Sequence, residues 1–497
     1  SRRKRLLAIV LFSMIFLSGC LGNSQENAQQ TNADGEIVLD VWHTFAAESK
    51  EEEVFMNSVS SFESAYPNVT VEVTMVPFGN ADQLFMTAAQ GGQAPDLMRL
   101  SSDQLGAIGE VRVDGFPLLE DLRPHLTPQD RAVFEERALQ AMRYGDALYG
   151  IPASQDCLSL IFNKALFDAQ GIDYPDETWT EQDLLDAAEL LTYQDVQGLA
   201  IPIKTAYWWF PIQEGFGGSL FDENGEPTLN SNGSSEAMRW MLDLELEHGV
   251  VATGTQIEGM KNQFISSKAA MIFDGPWNWA TYEASRLNIG QTLLPTVEST
   301  DERMSPLVTY KGWTVSKQSA NKVAATELAL WLSSKDVQKE FAVETYTMPT
   351  HVALESDMDI NDDAVLAGFL EQTKEGTPAP TTRAMSLVYD PLSTAFEQAY
   401  SGIASTSEAL SGANQQLEEQ IESISRADPF PLAEGYRTIT IEFETTNATS
   451  YDVYVDGALH TEIRVGLASN GLLLDYDSCT DGVNELLQLG QQKIALA

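Results

Sequence analysis

Apolar and polar positions along the chain fall into alternating strand and helix periods. Ile37 to Trp42 (IVLDVW) predicts a strand, and Val69 to Val76 (VTVEVTMV) alternates strictly, predicting a second. Between them, Val54, Phe55, Val59 and Phe62 recur at helical spacing from Glu48 to Tyr66 and stop before Pro67. Asp82 to Ala89 predicts a short helix closed by Gly91-Gly92, and Ala94-Pro95-Asp96-Leu97-Met98 opens a third strand. This β-α-β-α-β rhythm predicts an α/β domain with a doubly wound sheet, a statement about fold and not about function.

The rhythm breaks at Gly145 to Phe167, GDALYGIPASQDCLSLIFNKALF. A short strand enters a Pro turn, a polar patch (ASQDC) follows, and then an apolar run without alternation leads into a helix. An unalternating run predicts a strand buried on both faces. A polar segment between two buried strands marks the place where the chain leaves one sheet for another, and Asp156 is placed to face the gap. Farther on, Thr178 to Leu191 predicts a helix with Thr180 and Asp183 as an approximate capping box. Tyr207-Trp208-Trp209-Phe210 is a run of four aromatics that cannot all face one core, because successive side chains diverge; packing explains two of them. Phe264 to Met271 leads into Phe273-Asp274-Gly275-Pro276-Trp277-Asn278-Trp279, a strand end, a turn and a helix start. Pro306 to Val315 predicts a strand, and Ala324 to Leu332, Asp336 to Val343 and Ser405 to Ser425 predict helices, the last opened by a Ser405/Glu408 box. Beyond a Pro-containing linker at Arg426 to Pro431, Ile439 to Phe443, Tyr451 to Val455 and Leu459 to Val465 predict strands, with Asp456-Gly457 a hairpin turn.

Length and charge narrow the classes. At 497 residues the chain exceeds one core. Lys and Arg number 29 against 73 Asp and Glu, a net charge of −44 that repels phosphate backbones and predicts no nucleic-acid partner. Arg2, Arg3, Lys4 and Arg5 precede an apolar run, Leu6 to Leu17, too short to span a bilayer, and Leu17-Ser18-Gly19-Cys20 is a lipobox-like cleavage site. The expectation is a lipoprotein signal over 1–19, lipidation of Cys20, a flexible tether over 20–35, and work outside the cytoplasmic membrane. Only Cys157 and Cys479 remain, too far apart in sequence for a disulfide framework, and the five His form no metal-spaced cluster. No phosphate-binding, dinucleotide or hydrolase motif occurs. No enzyme, metal or cofactor is expected.

Three stretches carry a resemblance. PASQDCLSLIFNKALF resembles the crossover segment of the maltose/maltodextrin-binding protein family, the solute receptors of ABC importers. AMIFDGPWNW resembles that family's AM-x-x-x-GPW-x-W segment, and Leu293-Leu294-Pro295-Thr296 its return strand. The resemblance covers about 36–425 and implies a two-lobed periplasmic-binding-protein fold of type II with a hinge between the lobes. It places 36–154 and 300–346 in lobe 1 and 157–294 and 352–425 in lobe 2. A small β-rich module of unknown role, 432–497, lies outside it. It implies a sugar ligand, maltose, maltodextrin or another oligosaccharide, and ABC permease subunits as partners. On matching positions it implies stacking by Tyr207, Trp208, Trp277, Trp279 and Tyr389, and hydroxyl contacts by Asp103 and Asp156. A pyranose has apolar faces that rings cover and a hydroxyl rim that carboxylates bridge. Leu100 stands where the family has a Trp, and Ala47 and Glu48 replace its Asp-Lys pair, so neither a stacking platform nor a cationic donor is expected from lobe 1. A receptor for a different small polar solute, a secreted carbohydrate-active enzyme with a paired acid and base, and a surface adhesion or sensor protein stay open.

Overall fold

The computed structural model describes residues 37–113 and 115–426, together with the paths of four strands within 450–496. Two α/β lobes share it. In the first, Ile37–His43 pairs in parallel with Val69–Met75 and with Leu97–Ser101, as the β-α-β pattern predicts. The nine-residue strand Leu307–Val315 then runs antiparallel between Leu97–Ser101 and Gly150–Asp156. Every residue of that strand is buried, the mark of a central position. In the second lobe the sheet order places Ala269–Asp274 between Gln197–Ala200 and Ser159–Asn163, with Ile289–Thr292 at the edge. The helix Lys50–Ala65 is capped by Ser49, whose side chain accepts from the Glu52 N–H, and it lays Val54, Phe55, Val59 and Phe62 on the first sheet. Glu181–Leu191 does the same for the second sheet, with its Thr180/Asp183 capping box formed.

Each lobe has its own core, and among the described residues the chain changes core between consecutive residues three times. Cys157 packs in the first core and Leu158 in the second; Leu307 packs in the second and Val308 in the first; Phe341 packs in the first and Ala342 in the second. The first change falls in the polar-patch segment. The second comes later than the expected 294–300, because the small hairpin Thr296–Val297 with Glu302–Arg303 packs Val297 and Met304 into the second core. The third comes earlier than 346–352, on the helix Lys335–Thr345, whose Val337 and Phe341 face one lobe while Ala342 faces the other.

The crossing segments are tied together behind the cleft. The Gln155 N–H donates to Met348 O at 2.9 Å, and its side chain donates to Pro349 O at 2.8 Å and to Glu135 Oε1 at 3.1 Å. The final helix, Thr406–Arg426, starts from the Ser405/Glu408 box and buries Ala409, Leu410, Ala413 and Leu417 in the second core. In the appendage, Ser450–Val455, Ala458–Ala468 and Gly471–Tyr476 pair antiparallel in succession, with Ala495–Leu496 on the far edge of Ser450–Val455. The signal and tether, Cys20, the strand expected at 439–443 and Cys479 lie outside the described residues.

Candidate functional site

A cavity of about 400 Å³ opens between the lobes. The second lobe contributes Tyr207, Trp277 and Tyr389, and Asp156 enters from the crossing strand. The first lobe contributes Asp103, Glu51, Arg99 and Lys311 among its polar groups, with Thr44, Thr309 and the rings of Phe45 and Phe78.

Local structure explains each position. Ala269–Asp274 ends at Gly275, and Pro276–Asn278 forms one 3₁₀ turn, with Pro276 at its start. A Cβ on residue 275 would lie 2.0 Å from the Trp277 ring, so the indole rests against its own turn and any side chain at 275 would displace it. Trp277 is left 38% exposed, unusual for an indole in a folded lobe. Beneath the turn, the Asp274 carboxylate is fully buried and accepts from the Gly275 N–H at 2.9 Å, from Asn278 Nδ2 at 3.0 Å and from the Tyr282 hydroxyl. Burial pushes that carboxyl up to about 6, against the pull of its hydrogen bonds.

Asp156 and Lys311 form the floor. Lys311 Nζ lies 2.5 Å and 2.6 Å from the two Asp156 oxygens and 2.6 Å from Thr309 Oγ1, and Thr309 Oγ1 donates to Asp156 Oδ1 at 2.8 Å. All three are on neighbouring strands, where Asp156 and Thr309 stand directly opposite. Nearby, Arg99 is 8% exposed; its Nη1 donates to Thr44 at 2.8 Å and its guanidinium lies 4.2 Å from the centre of the Phe45 ring. Glu51 accepts from Thr347 Oγ1 at 3.1 Å. Burial raises the Glu51 carboxyl, while Arg99 and the Thr347 hydroxyl oppose the shift. Asp103 lines the cavity, and its Oδ1 is buried with no hydrogen-bond partner. Burial raises the Tyr207 and Tyr389 phenols, with help from Asp156 and Asp103 respectively, so both stay protonated and able to donate as well as accept.

Of the seven sequence-predicted ligand residues, the cavity brings together Asp103, Asp156, Tyr207, Trp277 and Tyr389. Trp208 and Trp279 are a correction, since both are core side chains. Trp208 is 5% exposed and its Nε1 donates to Phe273 O at 2.6 Å. Trp279 is 2% exposed and packs edge-on against Phe369. The first lobe, from which neither a stacking platform nor a cationic donor is expected, brings Arg99, Lys311, Phe45 and Phe78 to the cavity. Arg99 and Lys311 show in the sequence only as single cations inside strand segments, with no sign of what they face. Cys157 is buried and burial pushes its thiol well above its ordinary value, so it stays protonated. Among the described residues no cluster of His, Cys, Asp and Glu could hold a metal ion, and no helix is long and apolar enough to cross a membrane.

A family model for the bacterial extracellular solute-binding proteins matches residues 46–339, which spans both lobes and the first two changes of core. The chain belongs to this family. Among relatives of this solute-binding protein, the galactooligosaccharide-binding protein of Bacillus subtilis (strain 168) is 24% identical over 419 residues, 82% of this chain and 94% of that one. The maltodextrin-binding protein MdxE of the same organism is 24% identical over 426 residues, 84% of this chain and 98% of its own. In fold, this solute-binding protein is similar to the maltose/maltodextrin-binding domain MalE from Bdellovibrio bacteriovorus bound to maltotriose. The TM-score is 0.70 at 24% identity, over 78% of this chain and all of that one.

Proposed function

We propose that the protein is a lipid-anchored receptor on the outer face of the cytoplasmic membrane that closes its two lobes on a neutral sugar, an oligosaccharide foremost, and delivers it to an ABC permease. One observation carries the reading: the exposed indole of Trp277 from one lobe lines the same cavity as Asp103, Arg99 and Glu51 from the other. A ring covers a C–H face while a carboxylate accepts from, and a guanidinium donates to, the hydroxyl rim. Three carboxylates and two cations line the cavity, which disfavours an anionic sugar. The Asp156 carboxylate is held by Lys311 and Thr309, which suits a fixed acceptor better than a proton-transferring base. The names of the relatives, receptors for galactooligosaccharides and maltodextrin, support the same ligand class.

The mechanism breaks no bond. A ligand that contacts both lobes only when they are closed shifts the open–closed equilibrium by its differential affinity. Lysyl, guanidinium and carboxylate groups already held in place lose little further freedom on binding. A thermal-shift screen of the chain from residue 21 onward tests the reading. Maltotriose, maltodextrins and galactooligosaccharides should raise the melting temperature, by the equivalent of about 2.7 kcal/mol at a hundredfold excess over Kd. Stabilisation by amino acids or organic anions, with no response to any sugar, would overturn it.

A further inference from the structure

The first-lobe wall of the cavity holds two aromatic rings, and only one has a face to offer. Phe45 is 5% exposed, lies under the Arg99 guanidinium and stacks on Phe341 with ring centres 5.4 Å apart. Phe78 is 45% exposed, although it sits at the start of a 3₁₀ turn, Phe78–Asn80, against a cavity-lining strand. A phenyl ring left exposed on the cavity wall has an apolar face that a ligand can cover. Leu100, one strand away, is 1% exposed in the first core and offers no surface.

The loop that carries Phe78 is also tied to a hydrogen-bonding residue. Gln104 Nε2 donates to Phe78 O at 3.1 Å, while Gln104 Oε1 accepts from the Ser101 N–H at 3.2 Å. Gln104 closes the same short turn, Ser102–Gln104, that presents Asp103. One amide therefore ties the backbone that carries the ring to the turn that carries the carboxylate. Lys311 Nζ, 5.8 Å from the centre of the Phe78 ring, ties the same ring to the Asp156 pair on the floor.

We propose that Phe78 is the first-lobe stacking face for the ligand and that Gln104 is its positioning residue, a proposal that deepens the sugar reading and rests on it. A ring face and a carboxylate held at a fixed offset match a pyranose, whose C–H face and hydroxyl rim are themselves rigidly related. A linear polyol has the hydroxyls without the face, and the pair discriminates against it. With Trp277 on the opposite lobe, lobe closure buries two exposed rings against one ligand.

Titration calorimetry of maltotriose and sorbitol into the wild type and variants tests this, with ligand-free melting temperatures alongside. Phe78→Ala should weaken maltotriose about tenfold, Phe78→Leu about as much, and Phe78→Trp less than about threefold. Leu190→Ala, an exposed residue away from the cavity, should change nothing. Gln104→Ala should weaken binding by more than its loss of melting temperature, which reflects the Ser101 N–H left without its acceptor, would explain, and its effect should be less than additive with Phe78→Ala. Sorbitol should bind at least about a hundredfold more weakly than maltotriose. A Phe78→Ala variant of unchanged affinity, in a protein where Trp277→Ala is weakened, overturns the stacking role and leaves the sugar reading standing. Full additivity of the two substitutions overturns the positioning role of Gln104. A wild type that takes no sugar of the panel overturns the sugar reading and this proposal with it.

Discussion

The Lys311 ammonium and the Asp156 carboxylate lie 2.5 Å apart on adjacent strands in the floor of the interlobe cavity, with Thr309 bonded to both. Lys311 is 7% exposed, so each charge depends on the other for its solvation. Lys311→Met should cost about 2–3 kcal/mol, somewhat below the 3–5 of a fully buried pair, because Asp156 keeps partial access to water. Chemical denaturation measures the loss. The double variant Asp156→Asn/Lys311→Met should recover part of it, and two independent, additive losses would contradict a coupled pair.

Trp277 should matter to binding more than to folding. A stacked indole contributes roughly 1–3 kcal/mol, so Trp277→Ala should weaken sugar affinity about tenfold or more. With 38% of the side chain already exposed, the stability loss should fall well below the 3–5 kcal/mol of a core Trp truncation. Calorimetry and a ligand-free melt separate the two quantities. Unchanged affinity with a large loss of stability would move the residue from the site to the core.

The buried Asp274 makes stability depend on pH with a definite sign. Its carboxyl is raised from 3.8 to about 6 by burial, so between those values the folded state holds a proton that the unfolded chain has released. Its contribution is complete below about 4 and is lost as pH rises through about 6, a difference of roughly 3 kcal/mol. Relative to wild type, Asp274→Asn should therefore gain ground from pH 4 to pH 7 in urea-denaturation experiments. Parallel pH profiles for the two proteins would show that the carboxyl titrates normally.

The anchoring proposal has its own check. Cys20→Ser should release the protein in soluble form or leave it unprocessed, as membrane fractionation of expressing cells would show. Continued partitioning through an acylated residue would remove the lipobox reading.

What could be read from the sequence was what periodicity and turn chemistry govern. The strands at Ile37, Val69 and Ser159 show as alternation or as unbroken apolar runs, and the Thr180 and Ser405 caps as residue pairs three apart. The crossing at Cys157 showed because a polar patch cannot sit between two buried strands unless the chain changes layers there. Trp208 and Trp279 did not separate from Tyr207 and Trp277 by type. Helical rotation of neighbours decides which ring meets the cavity, and Pro211 inside the helix Ala206–Gly215 leaves that phase unpredictable. Arg99 and Lys311 were hidden for a different reason. Lys311 lies 155 positions from its partner Asp156, and only the register of Leu307–Val315 against Gly150–Asp156 brings the two together, while Arg99 reaches the cavity from the neighbouring strand Leu97–Ser101.

That same strand has a consequence for how the chain can acquire its shape. Leu97–Ser101 and Gly150–Asp156 do not pair with each other; both await Leu307–Val315, which fills the gap between them. Until residue 315 has emerged during synthesis, the first sheet presents two unpaired edges, and contacts of long sequence separation are slow to form. A fragment ending between residues 156 and 307 keeps both edges open and is expected to aggregate. Of the two lobes, the N-terminal one is thus the last whose sheet can be completed, though most of its strands are made first.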